Sequence, residues 1–170
     1  MKILRYSLFA IMIALVYNCG GEKEKKEEKE QIKIGTKKEK AEKDNKVATI
    51  GLTGDDMMQY NIKEMKVKAG QEITINLRHI GKMDIKVMGH NFVLLKQGVS
   101  IPEFSIKAAE AGEASDWIPD NGEDVIVHTK MIGGGQSTSI TFTAPEAGTY
   151  DYICSFPGHS ALMKGKLIVE

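Results

Sequence analysis

Three soft donors lie within ten residues near the end of the chain. The segment CSFPGHSALMKG, residues 154–165, holds the thiol of Cys154, the imidazole of His159 and the thioether of Met163. A strand ending at Cys154 and a turn at Pro157 and Gly158 bring His159 and Met163 back around the sulfur. A thiolate, an imidazole and a weak thioether form a soft ligand set suited to copper cycling between Cu(I) and Cu(II). A second imidazole has to come from elsewhere, and MGHNFVL, residues 88–94, offers His90 at a strand start. His90, Cys154 and His159 with an axial Met163 then match a trigonal site of two imidazoles and one thiolate with a long thioether bond.

Taken singly, each of these residues has a plainer explanation. Cys154 could be a buried apolar residue, His90 or His159 a satisfied core histidine, and Met163 core filler. Two histidines, a cysteine and a methionine in these contexts favour the site. The other histidines, His79 and His128, read as structural or pH-responsive groups rather than ligands of the same ion. Met57, Met58, Met65, Met83, Met88 and Met131 could suggest a copper-loading cluster; core packing with an exposed apolar rim is the simpler account.

The elements that must position these donors read as short strands. In 72–78, Ile73, Ile75 and Leu77 alternate with Glu72, Thr74, Asn76 and Arg78. Residues 139–143 and 166–170 repeat the alternation, and further strands are expected over 48–52, 60–67, 91–95, 125–128 and 149–154. Turn signals at Gly54-Asp55, Ala69-Gly70, Gly133-Gly134-Gly135 and between Pro145 and Gly148 separate them. Many short strands with glycine-rich turns predict an all-β fold, an antiparallel sandwich or barrel. The alanine-rich stretch 102–115 predicts one short helix between strands.

The 170 residues carry 23 basic and 23 acidic side chains, a zero balance that argues against a nucleic-acid binder. Two cysteines exclude a disulfide-rich scaffold and a four-thiolate zinc site. The charge is uneven: residues 20–46 hold 10 lysines against 8 acidic residues with almost nothing apolar, whereas residues 47–170 hold 11 basic against 15 acidic groups. The first segment therefore reads as a charged tether and the second as one folded domain. Residues 1–18 read as a secretory signal, with Lys2 and Arg5 ahead of an apolar run too short to span a bilayer comfortably. Cys19, directly after that run and followed by Gly20, resembles a bacterial lipoprotein processing site, although Asn18 is larger than the usual preceding residue. The resemblance implies lipidation at Cys19, and hence an exported protein anchored on the periplasmic side of a membrane or at the cell surface. Ordinary signal cleavage and an uncleaved anchor are the alternatives.

CSFPGHSALMKG, MGHNFVL and VIVHTKMIGGG together resemble the azurins, of the cupredoxin family of type 1 blue copper proteins. The similarity covers roughly residues 49–170. It implies an eight-stranded Greek-key β-sandwich with a helical flap over 47–170 and one copper ion. It also implies that the Gly89 carbonyl approaches the ion opposite Met163, and that Asn91 and the backbone of Phe156 hold the Cys154 sulfur by hydrogen bonds. By the same resemblance Met58, Met83, Met88, Phe156, Pro157, Ala161 and Leu162 ring the outer edge of His159 and form a docking surface for a redox partner, such as a c-type cytochrome or a terminal reductase. His79 resembles a semi-buried azurin histidine, and His128 a surface one. Two departures stand out: Gly70 occupies a position where azurins usually carry a disulfide cysteine, and Phe92 replaces a buried tryptophan. Filled ligands and one domain predict an electron carrier and not an enzyme, since His79 and His128 are too few for a second copper centre. A copper chaperone or storage lipoprotein using the same ligands is the alternative.

Overall fold

Alternation decides which side of each strand faces the core. In β3 (Glu72–His79) every second residue is buried, from Ile73 through Ile75 and Leu77 to His79, while Glu72, Asn76 and Arg78 face solvent. The same period appears in β6 (Ser137–Thr143) and β8 (Lys164–Val169). The computed structural model describes residues 47–170. The expected signal, Cys19 and the charged tether lie outside the described residues.

Eight strands form two facing sheets. One is β1 (Ala48–Gly54), β3 and β6; the other runs in the order β2 (Glu64–Val67), β8, β7 (Gly148–Ile153), β4 (Val93–Leu95), β5 (Val125–His128). All eight expected strands are present, with the one expected over 60–67 shortened to Glu64–Val67 and Tyr60 left in an isolated bridge to Gly54. The antiparallel expectation needs correction, because the sheets are mixed. β1 pairs with β3 in parallel, and β2 pairs with β8 in parallel. The physical reason is the crossover: β2 leaves the first sheet between β1 and β3, so those two strands meet without a hairpin and run the same way.

Two cores result. Between the sheets lie Leu52, Ile73, Ile75, Leu77, Phe92, Leu94, Tyr152 and Leu167. Outside the second sheet, α2 (Ile101–Ala111) lays Phe104 and Ala108, one turn apart, over Val93, Leu95 and Ile153. β4 is therefore buried on both faces, which is why its sequence is a continuous apolar run rather than an alternation. The helix starts at Ile101 with Pro102 in its first turn and ends at Gly112, whose φ of 74° breaks it; a 3₁₀ turn, Glu113–Ser115, completes the expected helical stretch.

Glycine permits two close approaches. A Cβ at Gly165 would lie 2.2 Å from the ring of Tyr152, whose hydroxyl donates to the Ile62 carbonyl at 2.6 Å. The glycine-rich run after Ile132 packs on a short helix, α1 (Ile85–Met88): a Cβ at Gly133 would stand 2.9 Å from the Ile85 nitrogen, and one at Gly134 would stand 2.5 Å from the Lys82 carbonyl carbon. Gly70 takes φ 72° in the turn between β2 and β3, and that turn needs no disulfide to close, since the Ala69 N–H donates to the Glu170 carbonyl and the Gly70 N–H to that of Ala144.

Candidate metal centre

Three connections meet at one end of the sandwich. The turn after β1, the segment from β3 through α1 to His90, and the segment from β7 to β8 each carry part of the site. His90, Cys154 and His159 come together with their donor atoms all within 4.8 Å of one another, and all three side chains are buried. Cys154 Sγ lies 3.6 Å from His159 Nδ1 and 3.7 Å from the Gly89 carbonyl oxygen. Met163 is fully buried. Its terminal methyl would be 2.5 Å from a Cβ at Gly54, and the His90 ring 2.8 Å from the same point, so the thioether end packs beside that ring.

The backbone holds each donor. The Cys154 N–H donates to the Met163 carbonyl at 2.9 Å, tying the two ends of the loop. Within the loop, Gly158 at φ 81° turns the chain, the His159 N–H donates to Phe156, and the Met163 N–H donates to the His159 carbonyl at 2.7 Å. His90 pairs with Ile132 through two backbone hydrogen bonds. Asn91 locks the two ligand segments together: its side-chain carbonyl accepts from the Ser155 N–H at 2.9 Å, and its amide donates to Ser155 Oγ at 2.8 Å. Gly89 has ordinary backbone angles, and what excludes a side chain there is space. An added Cβ would meet the Ile85 carbonyl at 2.7 Å, Phe156 at 2.8 Å and Met131 at 2.9 Å.

Protonation completes the donor set. Burial pushes the Cys154 thiol up to about 12, opposed by the backbone N–H groups of Asn91 and Phe156 directed at the sulfur. Burial pulls His159 down to about 4, with the neighbouring imidazoles of His90 and His79 adding to the effect. His90 is also lowered, by burial first, against its hydrogen bond to the Asp55 carbonyl. Both imidazoles are therefore neutral at pH 7. His90 Nε2 lies 2.9 Å from the Asp55 carbonyl and Nδ1 lies 2.8 Å from the Gly89 carbonyl, yet a neutral ring has one proton to give. With the proton on Nε2, the Nδ1 lone pair, the Gly89 oxygen, the sulfur and His159 Nδ1 face one buried point. Lone pairs gathered away from water are unfavourable alone and favourable around a cation. The soft sulfur and two imidazole nitrogens fit copper.

The family model for copper binding proteins of the plastocyanin/azurin family matches residues 46–170. The chain belongs to that family. Its cupredoxin domain is 45% identical over 124 residues to azurin of Achromobacter denitrificans, covering 68% of this chain and 80% of the relative. Azurin-2 of Alcaligenes xylosoxydans xylosoxydans is 44% identical over 120 residues, covering 68% of this chain and 92% of the relative. Among solved structures, auracyanin A, a blue copper protein of Chloroflexus aurantiacus, superposes with a TM-score of 0.67 at 32% identity, over 73% of this chain and 99% of that one. The three-residue cluster of the cupredoxin domain thus matches a single type 1 copper.

Around the cluster, the residues expected to form the rim differ in exposure. Met83, Pro157, Ala161 and Leu162 are exposed, whereas Met58, Met88 and Phe156 are half-buried. His159 is only 3% exposed, so its edge is more covered than a ringed, open position implies. Met57, Ile80 and Val87 are further exposed apolar side chains that the expected rim did not include. The methionines divide: Met65 and Met131 are core residues, and Met57 and Met83 face solvent. His79 is fully rather than partly buried, stacked on His90 with ring centroids 4.0 Å apart. It donates from Nε2 to the Met88 carbonyl and accepts the Gly81 N–H at Nδ1, which leaves neither nitrogen for a metal. His128 lies exposed on β5.

Gly54, Asp55 and Asp56 were legible only as a turn. Gly54 makes room for His90 and Met163. The Asp55 carboxylate accepts from the N–H groups of Met57 and Gln59, holding Met58 at φ 56° while its carbonyl fixes His90 Nε2. The Asp56 carboxylate accepts from Lys82 N–H at 2.9 Å and Met83 N–H at 3.3 Å; these bonds to the Lys82 and Met83 amides pull its pKa below the ordinary carboxylate value.

The lowered histidine pKa values give the metal-free protein a pH signature. Below about pH 6.5 the unfolded imidazoles take up protons that the folded ones refuse until about pH 4 at His159, so stability is full above 6.5 and falls through that window. Denaturant titrations of the metal-free full chain at pH 7.5, 6.0 and 4.5 should show falling midpoints. Constant midpoints would contradict neutral buried imidazoles.

Proposed function

We propose that the protein is a one-electron carrier that exchanges electrons at a single type 1 copper, which His90, Cys154 and His159 would hold as principal ligands, with Met163 and the Gly89 carbonyl as weaker donors. The observation that carries this reading is the buried convergence of three donor atoms within 4.8 Å on separately anchored backbone. Copper, when bound, supplies the Cu(I)/Cu(II) couple. The chain supplies the rest. Fixed donors hold one arrangement for both oxidation states, a covered site keeps water from the sulfur, and Asn91 with the Phe156 N–H tunes the sulfur's charge.

A carrier fits better than an enzyme because the donors leave no evident substrate position, and both nitrogens of His79 are engaged. A copper chaperone or store would use the same ligands but needs them to open and release the metal. Four buried side chains on hydrogen-bonded loops favour retention.

For the partner, the rim of Met58, Met83, Met88, Phe156, Pro157, Ala161 and Leu162, extended by Met57, Ile80 and Val87, is the proposed docking surface. Exposed apolar side chains next to a buried redox ligand suit a second redox protein, such as a c-type cytochrome or terminal reductase. Electrons would enter and leave by way of the His159 ring.

Location belongs to the same reading. A lipid on Cys19 and a charged tether over 20–46 would keep the domain near a membrane on the periplasmic side or at the cell surface. Mass spectrometry of the protein from its native membranes should find diacylglycerol on an N-terminal Cys19, and an unmodified or absent Cys19 would end this part of the proposal.

Copper-loaded full chain should show an intense blue thiolate band that bleaches with ascorbate, returns on reoxidation and is absent in Cys154→Ser. Leu162→Lys should keep the band and slow electron exchange with the partner about tenfold, the factor that 1.4 kcal/mol of docking energy represents. A colourless copper-binding protein would shift the reading to copper handling, and unchanged exchange in Leu162→Lys would remove the docking surface.

A further inference from the structure

Asn91 holds the start of the His159 loop at Ser155, and from Phe156 onward the loop backbone is bonded mostly to itself. Its backbone hydrogen bonds run among Phe156, His159, Leu162 and Met163, and the Lys63 ammonium donates to the Leu162 carbonyl from the exposed side at 3.0 Å. On the opposite side stands α2, seated on the second core by Phe104 and Ala108. Helix and loop approach each other without filling all the space between them. A groove of about 640 Å³ lies between them, walled by Ile101 and Ile106 from α2 and by Gly158 and Ala161 from the loop. Apolar packing fixes the start of the loop, where Phe156 sits on the second core with its ring 4.9 Å from that of Trp117, and beyond Gly158 the groove intervenes.

One polar contact crosses the gap. Ser105 Oγ and Ser160 Oγ are 2.7 Å apart, and Ser105 Oγ is also 2.7 Å from the Ile101 carbonyl oxygen. A carbonyl only accepts, so the single Ser105 proton goes to Ile101. Ser160 must then donate to Ser105. The order of the two bonds is thus set, and the loop hydroxyl is tied to a helix carbonyl through one intermediate oxygen. Ser160 is 8% exposed and directly follows His159.

We propose that Ser105 and Ser160 are positioning residues for the copper ligand His159. Their hydrogen bond sets the pitch of the loop against α2, and with it the direction in which Nδ1 faces Cys154 Sγ. The inference rests on the copper reading of the site. Without the latch, the stretch after Gly158 faces open groove where it now has a fixed partner. With it, the helical flap of the second core becomes part of the scaffold that orients a ligand in the first.

The test uses the copper-loaded full chain and Ser105→Ala. The variant should lose copper to an excess of chelator roughly three- to tenfold faster, the range that one net hydrogen bond allows. Its copper hyperfine splitting and reduction potential should shift from the wild-type values. Ser105→Thr, which keeps the hydroxyl, should restore all three. In the metal-free full chain, amide exchange at Leu162 and Met163 should accelerate by a similar factor while amides of β3 stay unchanged. Wild-type copper release, spectrum and loop exchange in a folded Ser105→Ala protein would overturn the proposal. If the β3 amides also accelerate, Ser160→Ala is judged by the same criteria, because it leaves the helix bond from Ser105 to Ile101 in place. A wild-type protein without a blue band would sink the copper reading, and the exchange rates of the metal-free loop would still decide the latch.

Discussion

The fold is organised around the burial of one sulfur. Cys154 leaves β7 and points into the end of the sandwich, where burial pushes its thiol up to about 12. At neutral pH a thiolate there requires a compensating cation, so the ionised form and the metal arrive together. Burial has structural consequences. The backbone N–H groups of Asn91 and Phe156 must aim at the sulfur, which requires the Asn91–Ser155 pair to hold two segments in register. Gly89 and Gly54 must lack side chains so that the Gly89 carbonyl, the His90 ring and Met163 can close around the same point.

Two layers of support lie behind those contacts. The His90 ring is fixed from outside by the Asp55 carbonyl and from one face by His79, which is itself held by Met88 and Gly81. The Cys154–Met163 loop is tied at its base by the Cys154 N–H and at its flank by Ser160. One donor comes from the segment before β4 and the others from the segment between β7 and β8. β4 and β7 are adjacent strands of one sheet, so the relative position of the donors inherits the stiffness of that sheet. Donors held this stiffly suit a site that keeps one arrangement in both oxidation states, as the proposed carrier role requires.

Much of this was legible in the sequence because it depends on local spacing. Period-two burial in β3, β6 and β8 follows from alternation, and the soft donors of residues 154–163 share one turn whose Pro157 and Gly158 announce it. The helix showed itself through its alanines. Features made by contacts distant in sequence were not legible. The parallel pairing of β1 with β3 depends on where β2 goes, and no residue in either strand marks it. Gly54-Asp55-Asp56 looks like any polar turn, yet its glycine makes room for Met163, 109 positions later, and its carbonyl orients His90. Ser105 and Ser160 are ordinary small polar residues until the helix and loop are placed side by side. Residues that act through their position resemble their neighbours in sequence, whereas residues that act through their chemistry do not.

If the fold alone sets the donor atoms, the metal does not rearrange them when its oxidation state changes. X-ray absorption at the copper edge of the full chain, recorded as Cu(II) and again after reduction to Cu(I), tests it most directly. One sulfur and two imidazole nitrogens are expected at short distance in both states, with the same ligand atoms throughout. Loss of an imidazole on reduction, or an oxygen ligand replacing the sulfur in either state, would contradict it.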